Sequence, residues 1–363
     1  MSSDRRKVER TTARARFFQP ALLTVAIGVS TLAMAAGCSR GVDRAEAPGG
    51  PSSSARPTIA VTNAALEYFA RRLAGDFARI EFPLPPDVDP AYWKPSDEGV
   101  RSLQAAELIV INGAGYEHWL DKVTLPRARI VDTSAGFRDQ WIRLQGVIKH
   151  RHGPSGEHVH AGLAVGTWLD PDLAIRQAES LYRELVRRYG AHQRELDAHW
   201  KQLESDLRRW RHELDAVRRA HPKIELWASH PVYAYLAEWT GWHVESVHWE
   251  PHEMPDDASW AEFDRRRRAH PASIMLWEDQ PMAPTRKGLD QRGVTVVVVR
   301  PCGNRPADGD WLSEMRANTK RLNEALHASP QPKSNGSAGT APDGTAPASS
   351  QSVPKRTNST AGR

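Results

Sequence analysis

Short apolar blocks alternate with amphipathic stretches over the first half of the chain. Thr58-Ile59-Ala60-Val61 reads as a strand, and the spacing over 64–74 predicts a helix stopped by Gly75. A second strand is predicted over 77–82, then a helix capped by Ser96 and running to Ala106. Leu108-Ile109-Val110-Ile111 is a further strand, 115–123 reads as helical, and 129–131 as a strand. Such alternation predicts an α/β fold with parallel sheets covered by helices. The middle differs. From Asp172 to Ala220 the pattern is helical almost throughout, with Gly190 as the one punctuator. Beyond it Leu196, Trp200, Leu203, Leu207, Trp210, Leu214 and Val217 recur three or four apart. This is one amphipathic helix of about 30 residues, roughly 45 Å long, enough to run along two domains. Alternation then returns. Strands are predicted over 223–228, 244–247, 274–277 and 294–299, and helices over 232–240, 285–291 and 311–328, with one capped by Ser259 and running to 269.

The two ends of the chain have a different composition. Arg5, Arg6, Lys7, Arg10, Arg14 and Arg16 precede an apolar run over 17–36 that ends Ala35-Ala36-Gly37-Cys38. A basic segment, an apolar stretch and small residues before a cleavage point make an export signal, expected to cover 1–37. A cysteine directly after Ala-Ala-Gly resembles a bacterial lipobox, in which Cys38 would be lipidated; Ala35 stands where that pattern usually has Leu. The competing reading of 17–36 is a membrane-spanning helix. The Gly/Pro/Ser-rich stretch 38–56 favours cleavage and a lipid-anchored linker, and 329–363 reads as a disordered tail. The only other cysteine is Cys302. The total charge of +5 is an effect of the ends: residues 1–37 carry +4 and 331–363 carry +3, which leaves −2 for 38–330. That balance argues against nucleic-acid binding, and Arg265–Arg268 reads as a solvated helix face.

The densest chemistry lies between residues 150 and 160. Four of the fifteen histidines, His150, His152, His158 and His160, form two His-x-His pairs around Gly153-Pro154-Ser155-Gly156. Residues two apart in an extended segment share a face, and the turn can fold one pair toward the other. Clustered neutral imidazoles suit a borderline divalent ion such as zinc. Imidazole ligands must be neutral, so binding should weaken below a pH of about 6.5. His230 and Glu278 each follow a predicted strand, where ligands sit in open α/β sheets. Asp279 adjoins Glu278, and His248, Glu250, His252 and Glu253 read as a rim cluster with less claim to ligation.

Several segments in order resemble the solute-binding lipoproteins of bacterial zinc/manganese ABC transporters. They are Thr58-Ile59-Ala60-Val61, Leu73-Ala74-Gly75-Asp76, Pro85-Pro86-Asp87-Val88-Asp89-Pro90, 106–115, Glu117-His118-Trp119-Leu120, Thr167-Trp168-Leu169-Asp170-Pro171 and 229–236. The resemblance implies two α/β lobes joined by one long backbone helix, with metal in the cleft between them. It implies an N-terminal lobe over 57–170 that carries the histidine segment, a connector over 171–220 and a C-terminal lobe over 221–328. It places His230 at a ligand position and an acidic group near Glu278 and Asp279. Two histidines of the family pattern are replaced, by Ala91 and Gly166. Imidazoles of the 150–160 segment are expected to substitute for them, completing a site with His230 and Glu278.

The expected function is capture of a divalent metal, zinc first and manganese as the alternative. The expected partners are an ABC permease and its ATPase. The protein would be a monomer anchored at the cell envelope, facing the periplasm or the exterior. A buffering lipoprotein with no permease is the runner-up. A metal-dependent hydrolase would need an open metal position and a general base, and no His-Glu-x-x-His stands in the chain. Cys38→Ser should abolish lipidation and release the protein from membranes. A variant that stays in the membrane fraction after a salt wash would make 17–36 a spanning helix.

Overall fold

A computed structural model describes residues 56–86, 88–144, 148–151, 157–160 and 162–328. The export signal, Cys38, the linker to Ala55 and the tail from Ser329 lie outside them. Strands β1 (Thr58–Val61), β2 (Arg79–Glu81), β3 (Leu108–Ile111) and β4 (Ile130–Asp132) form a parallel sheet in the order β2-β1-β3-β4. Helices α1 (Ala64–Ala74) and α2 (Asp97–Ala105) belong to this lobe. Asn63 caps α1 by accepting the N–H of Leu66 at 2.8 Å, and Gly75 ends it with φ 52°. Strands β5 (Ile148–Arg151) and β6 (Glu157–His160) pair antiparallel. A second parallel sheet, in the order β10-β9-β7-β8, holds β7 (Glu225–Ala228), β8 (His243–Ser246), β9 (Ile274–Trp277) and β10 (Thr295–Val298). Its helices are α5 (Ala234–Thr240), α6 (Asp257–Arg266), α7 (Ala283–Gln291) and α8 (Trp311–Ala328). β3 and β9 are buried along their whole length, as strands covered on both faces must be.

Two helices link the sheets. α3 (Pro171–Arg188) starts at Asp170, whose carboxylate accepts the N–H groups of Asp172 and Leu173, with Pro171 in the first turn. A 3-10 turn at Gly190–His192 separates it from α4 (Gln193–Ala220), 28 residues long. The stripe read from the sequence is the buried face of α4: Leu196, Leu203, Leu207, Trp210, Leu214 and Val217. It packs on α1, α3 and α8 rather than on a coiled-coil partner. Arg72 of α1 pairs with Asp206 at 2.6 Å, and Trp210 meets Trp311 of α8 edge-on at 5.5 Å. Among the described residues no helix is long and apolar enough to cross a membrane.

Two local expectations fail for identifiable reasons. Residues 115–123 form only a three-residue 3-10 turn, Leu120–Lys122. Gly113, Ala114 and Gly115 all take positive φ, so the chain enters in a left-handed run that cannot start an α-helix. The helix assigned to a Ser259 cap is capped instead by Asp256, whose carboxylate accepts the Ser259 N–H at 2.8 Å.

Gly113 is also held by space. A Cβ there would lie 1.9 Å from Oδ1 of Asp132, an atom that accepts hydrogen bonds from both the N–H and the hydroxyl of Ser134 at 2.9 Å. With φ at 74°, Gly113→Ala combines backbone strain with a clash. It should cost about 2 kcal/mol or more and lower Tm by about 4–8 °C in a thermal melt.

Candidate metal centre

Each parallel sheet presents the carboxyl ends of its strands, and in the second lobe three acidic or basic side chains meet there. His230 follows β7 across Ser229, Glu278 follows β9 directly, and Glu250 lies in the loop after β8. That loop is drawn toward β7 because the N–H groups of His248 and Trp249 both donate to Ser229 O at 3.0 Å. His230 is buried, at 2% exposure, and each ring nitrogen faces a carboxylate. Nε2 lies 3.0 Å from Glu250 Oε1 in a directed hydrogen bond. Nδ1 lies 2.7 Å from Glu278 Oε1, a close ionic contact. The His248 ring stands 6.4 Å from the His230 ring.

Burial opposes a charged imidazole here, but the carboxylates of Glu278 and Glu250 outweigh it and hold the ring pKa up at about 10. An incoming cation therefore competes with a proton well above the pH of about 6.5 that a free imidazole implies.

The residues just beyond the corresponding strand ends of the first lobe are uncharged. Thr62, Asn112 and Thr133 stand just beyond β1, β3 and β4, joined by Thr167 and Gln177 in one buried network. Thr167 Oγ1 lies 2.8 Å from Asn112 Oδ1, and Gln177 Nε2 donates to Asn112 Oδ1 and to Thr133 Oγ1, both at 2.9 Å. Glu117 closes the network, accepting from the Thr62 hydroxyl at 2.6 Å and from the N–H groups of Asn112 and Gly113 at 2.7 and 3.1 Å. Burial raises its carboxyl to about 7 against the pull of these donors.

The two positions where the family pattern has histidine are now located. Ala91 is buried, and its carbonyl accepts the N–H of His118 at 3.2 Å. His118 is itself a first-lobe imidazole, stacked on Tyr92 at 4.9 Å. Gly166 has φ 85°, and a Cβ there would stand 3.4 Å from the carbonyl of Val232, two residues from His230. Position 166 thus abuts the second lobe beside His230, with a backbone that disfavours any side chain. The lobes are tied near this point. Trp168 Nε1 donates to Pro301 O at 2.7 Å, and the Ile142 N–H to Tyr235 Oη at 3.3 Å.

Of the other residues singled out in the sequence, Asp279 pairs with Arg300 at 3.0 Å. In the β5–β6 pair His150 is registered opposite His158, and His160 opposite Ile148. His152 and Cys38 lie outside the described residues. Glu250 is the contact that sequence reasoning underrated. Its signal was a charged residue after a strand end, which it shared with Glu253 and His252, and only the Ser229 carbonyl decides which of them turns inward.

A sequence model of the family described as Zinc-uptake complex component A periplasmic (ZnuA) matches residues 59–325. The high-affinity zinc uptake system protein ZnuA of Bacillus subtilis is 21% identical over 226 residues, which is 58% of this chain and 67% of that protein. The Zn(II)-bound crystal structure of AdcA from Streptococcus pneumoniae superposes with a TM-score of 0.64 at 19% identity, over 77% of this chain and 59% of that one. The solute-binding protein FpvC of Pseudomonas aeruginosa, in complex with Mn2+, gives 0.59 at 17% identity, over 75% of this chain and 99% of that one. These structures share the two-lobed fold, and the match over 59–325 makes this chain a member of the ZnuA family.

Proposed function

We propose that this chain is the extracytoplasmic receptor of a divalent-metal uptake system, lipid-anchored through Cys38, that takes zinc at His230 and passes it to an ABC permease driven by its ATPase. The observation that carries the reading is the buried His230 ring with a glutamate at each nitrogen. Whichever nitrogen takes the ion, the other keeps a carboxylate to accept its N–H, the arrangement that orients a metal-bound imidazole. The ligand–ligand spacing about a tetrahedral zinc with bonds of about 2.0–2.1 Å is near 3.3 Å. The carboxylate oxygen on the metal side, at 2.7 or 3.0 Å, needs to open by only a few tenths of an ångström as the ring proton leaves. The family match supports the coupling to uptake, and the Zn(II)-bound AdcA and Mn2+-bound FpvC support the class of ion. Imidazole favours zinc over manganese, while a glutamate oxygen keeps manganese as the alternative. The reading assigns the site no catalysis.

The remaining ligands come, in this reading, from His150, His152, His158 and His160. The first lobe's own strand ends are taken up in a hydrogen-bonded network closed by Glu117, and Ala91 and Gly166 supply no donor side chain. Asp279 is bound to Arg300 and plays a supporting part.

Two measurements test this. His230→Ala should weaken zinc binding at least tenfold, about 1.4 kcal/mol, while thermal unfolding of the metal-free protein stays cooperative. Unchanged zinc affinity in the folded variant would remove His230 from the site. Replacing His150, His152, His158 and His160 together with Ser should abolish the tight one-to-one site in calorimetry. A retained stoichiometric site of near-native affinity would defeat donation by that segment and transfer the first-lobe role to His118.

A further inference from the structure

A second group of imidazoles and carboxylates gathers at the opposite end of the second sheet. Glu225 is the first residue of β7 and His243 the first of β8, and the parallel register sets them side by side. Residues two apart on a strand share a face, so Glu245 lies on the same side as His243, and Trp227 on the same side as Glu225. His270, which precedes β9, closes over that face. Its ring meets Trp227 edge-on at 4.7 Å and His243 at 4.9 Å. One potential ligand atom each from Glu225, His243 and His270 lies within 4.8 Å of the others.

The tautomer of His270 is fixed by its surroundings. Nε2 lies 2.9 Å from the carbonyl of Leu226, and a carbonyl only accepts, so Nε2 carries the proton. The lone pair is then on Nδ1, which points at Glu225 Oε2 at 4.0 Å and Glu245 Oε1 at 3.9 Å. Neither is within hydrogen-bond distance. A neutral imidazole with one nitrogen fixed on a backbone carbonyl and the other turned to a carboxylate and a second imidazole is the arrangement of a metal ligand. Arg266 is engaged by Glu245 at 2.8 Å and lies over Trp227 at 5.0 Å. Glu225 and His243 are exposed, so both can rotate inward to shorten the spacing that zinc requires.

From this geometry we infer that Glu225, His243 and His270 form a second site for a borderline divalent cation of the zinc class, with Glu245 as an outer carboxylate and water completing the shell. It lies at the amino ends of β7 and β8, whereas His230 lies beyond the carboxyl end of β7, roughly 17 Å away along the strand. Occupancy here is independent of the reading given to His230.

The test uses the full chain and zinc alone. Equilibrium dialysis should show that Glu225→Ala with His243→Ala binds one zinc fewer than the wild type, the lost equivalent being weakened at least tenfold. Both substitutions are at exposed positions, so the melting curve of the metal-free protein should be unchanged. His270→Gln, which keeps an N–H for Leu226 O but removes the imidazole, should lose the same equivalent. A zinc-edge anomalous peak within about 2.1 Å of His270 Nδ1 should appear in zinc-soaked wild-type crystals. Unchanged stoichiometry in the double variant, or no such peak at saturating zinc, overturns the site.

Discussion

Leu203, Leu207, Trp210 and Leu214 lie on one side of α4, and burying them takes helices from both lobes. Each is worth about 1.5–3 kcal/mol when removed from water, so the chain gains most when α1 and α8 close over the same stripe. α1 docks from the first sheet, with Arg72 on Asp206 and the His199 ring against Leu73 O at 2.9 Å. α8 arrives from β10 and sets Trp311 between Trp210 and Phe69. Phe69 belongs to the first lobe, so α8 crosses back to the lobe in which the chain began. The relative placement of the sheets follows from this shared core, and the strand ends meet because of it.

That placement brings together two unlike surfaces. The first lobe offers Thr62, Asn112, Thr133, Thr167 and Gln177, uncharged groups joined with Glu117 in one hydrogen-bonded network. The second offers an imidazole between two glutamates. A buried hydrogen-bonded network keeps its geometry because breaking any member leaves a polar atom unpaired. A ring flanked by two carboxylates holds its proton tightly, yet the same charges attract a cation once one is near. In the proposed function this asymmetry makes the second lobe the anchoring half of the centre.

The strap at 301–305 reinforces the arrangement. Asn304 donates to the carbonyls of Pro85, Pro86 and Val88, and Arg305 reaches Glu67 at 2.7 Å. With Trp168 on Pro301 O, these contacts hold the second lobe's last loop against the first lobe. They join residues more than 130 positions apart in the chain, and no local pattern announces them.

Periodicity alone determined where β1, β3, β9, α1 and α8 begin and end, because strand and helix repeats are properties of neighbouring residues. It also determined that α4 is one long amphipathic helix, and that His230 and Glu278 both stand at strand ends, from which a shared site could be expected. Tertiary structure decided what depends on distant partners. Gly113 to Gly115 became a left-handed run, and Glu117 went to cap it rather than to open a helix. Asp279, adjacent to Glu278, was taken by Arg300. Glu250 was selected over Glu253 because the Ser229 carbonyl gathers the N–H groups of His248 and Trp249. The group at Glu225, His243 and His270 was equally invisible in the chain, since three residues spread over 46 positions meet only when β7 and β8 pair in parallel and the end of α6 folds over them.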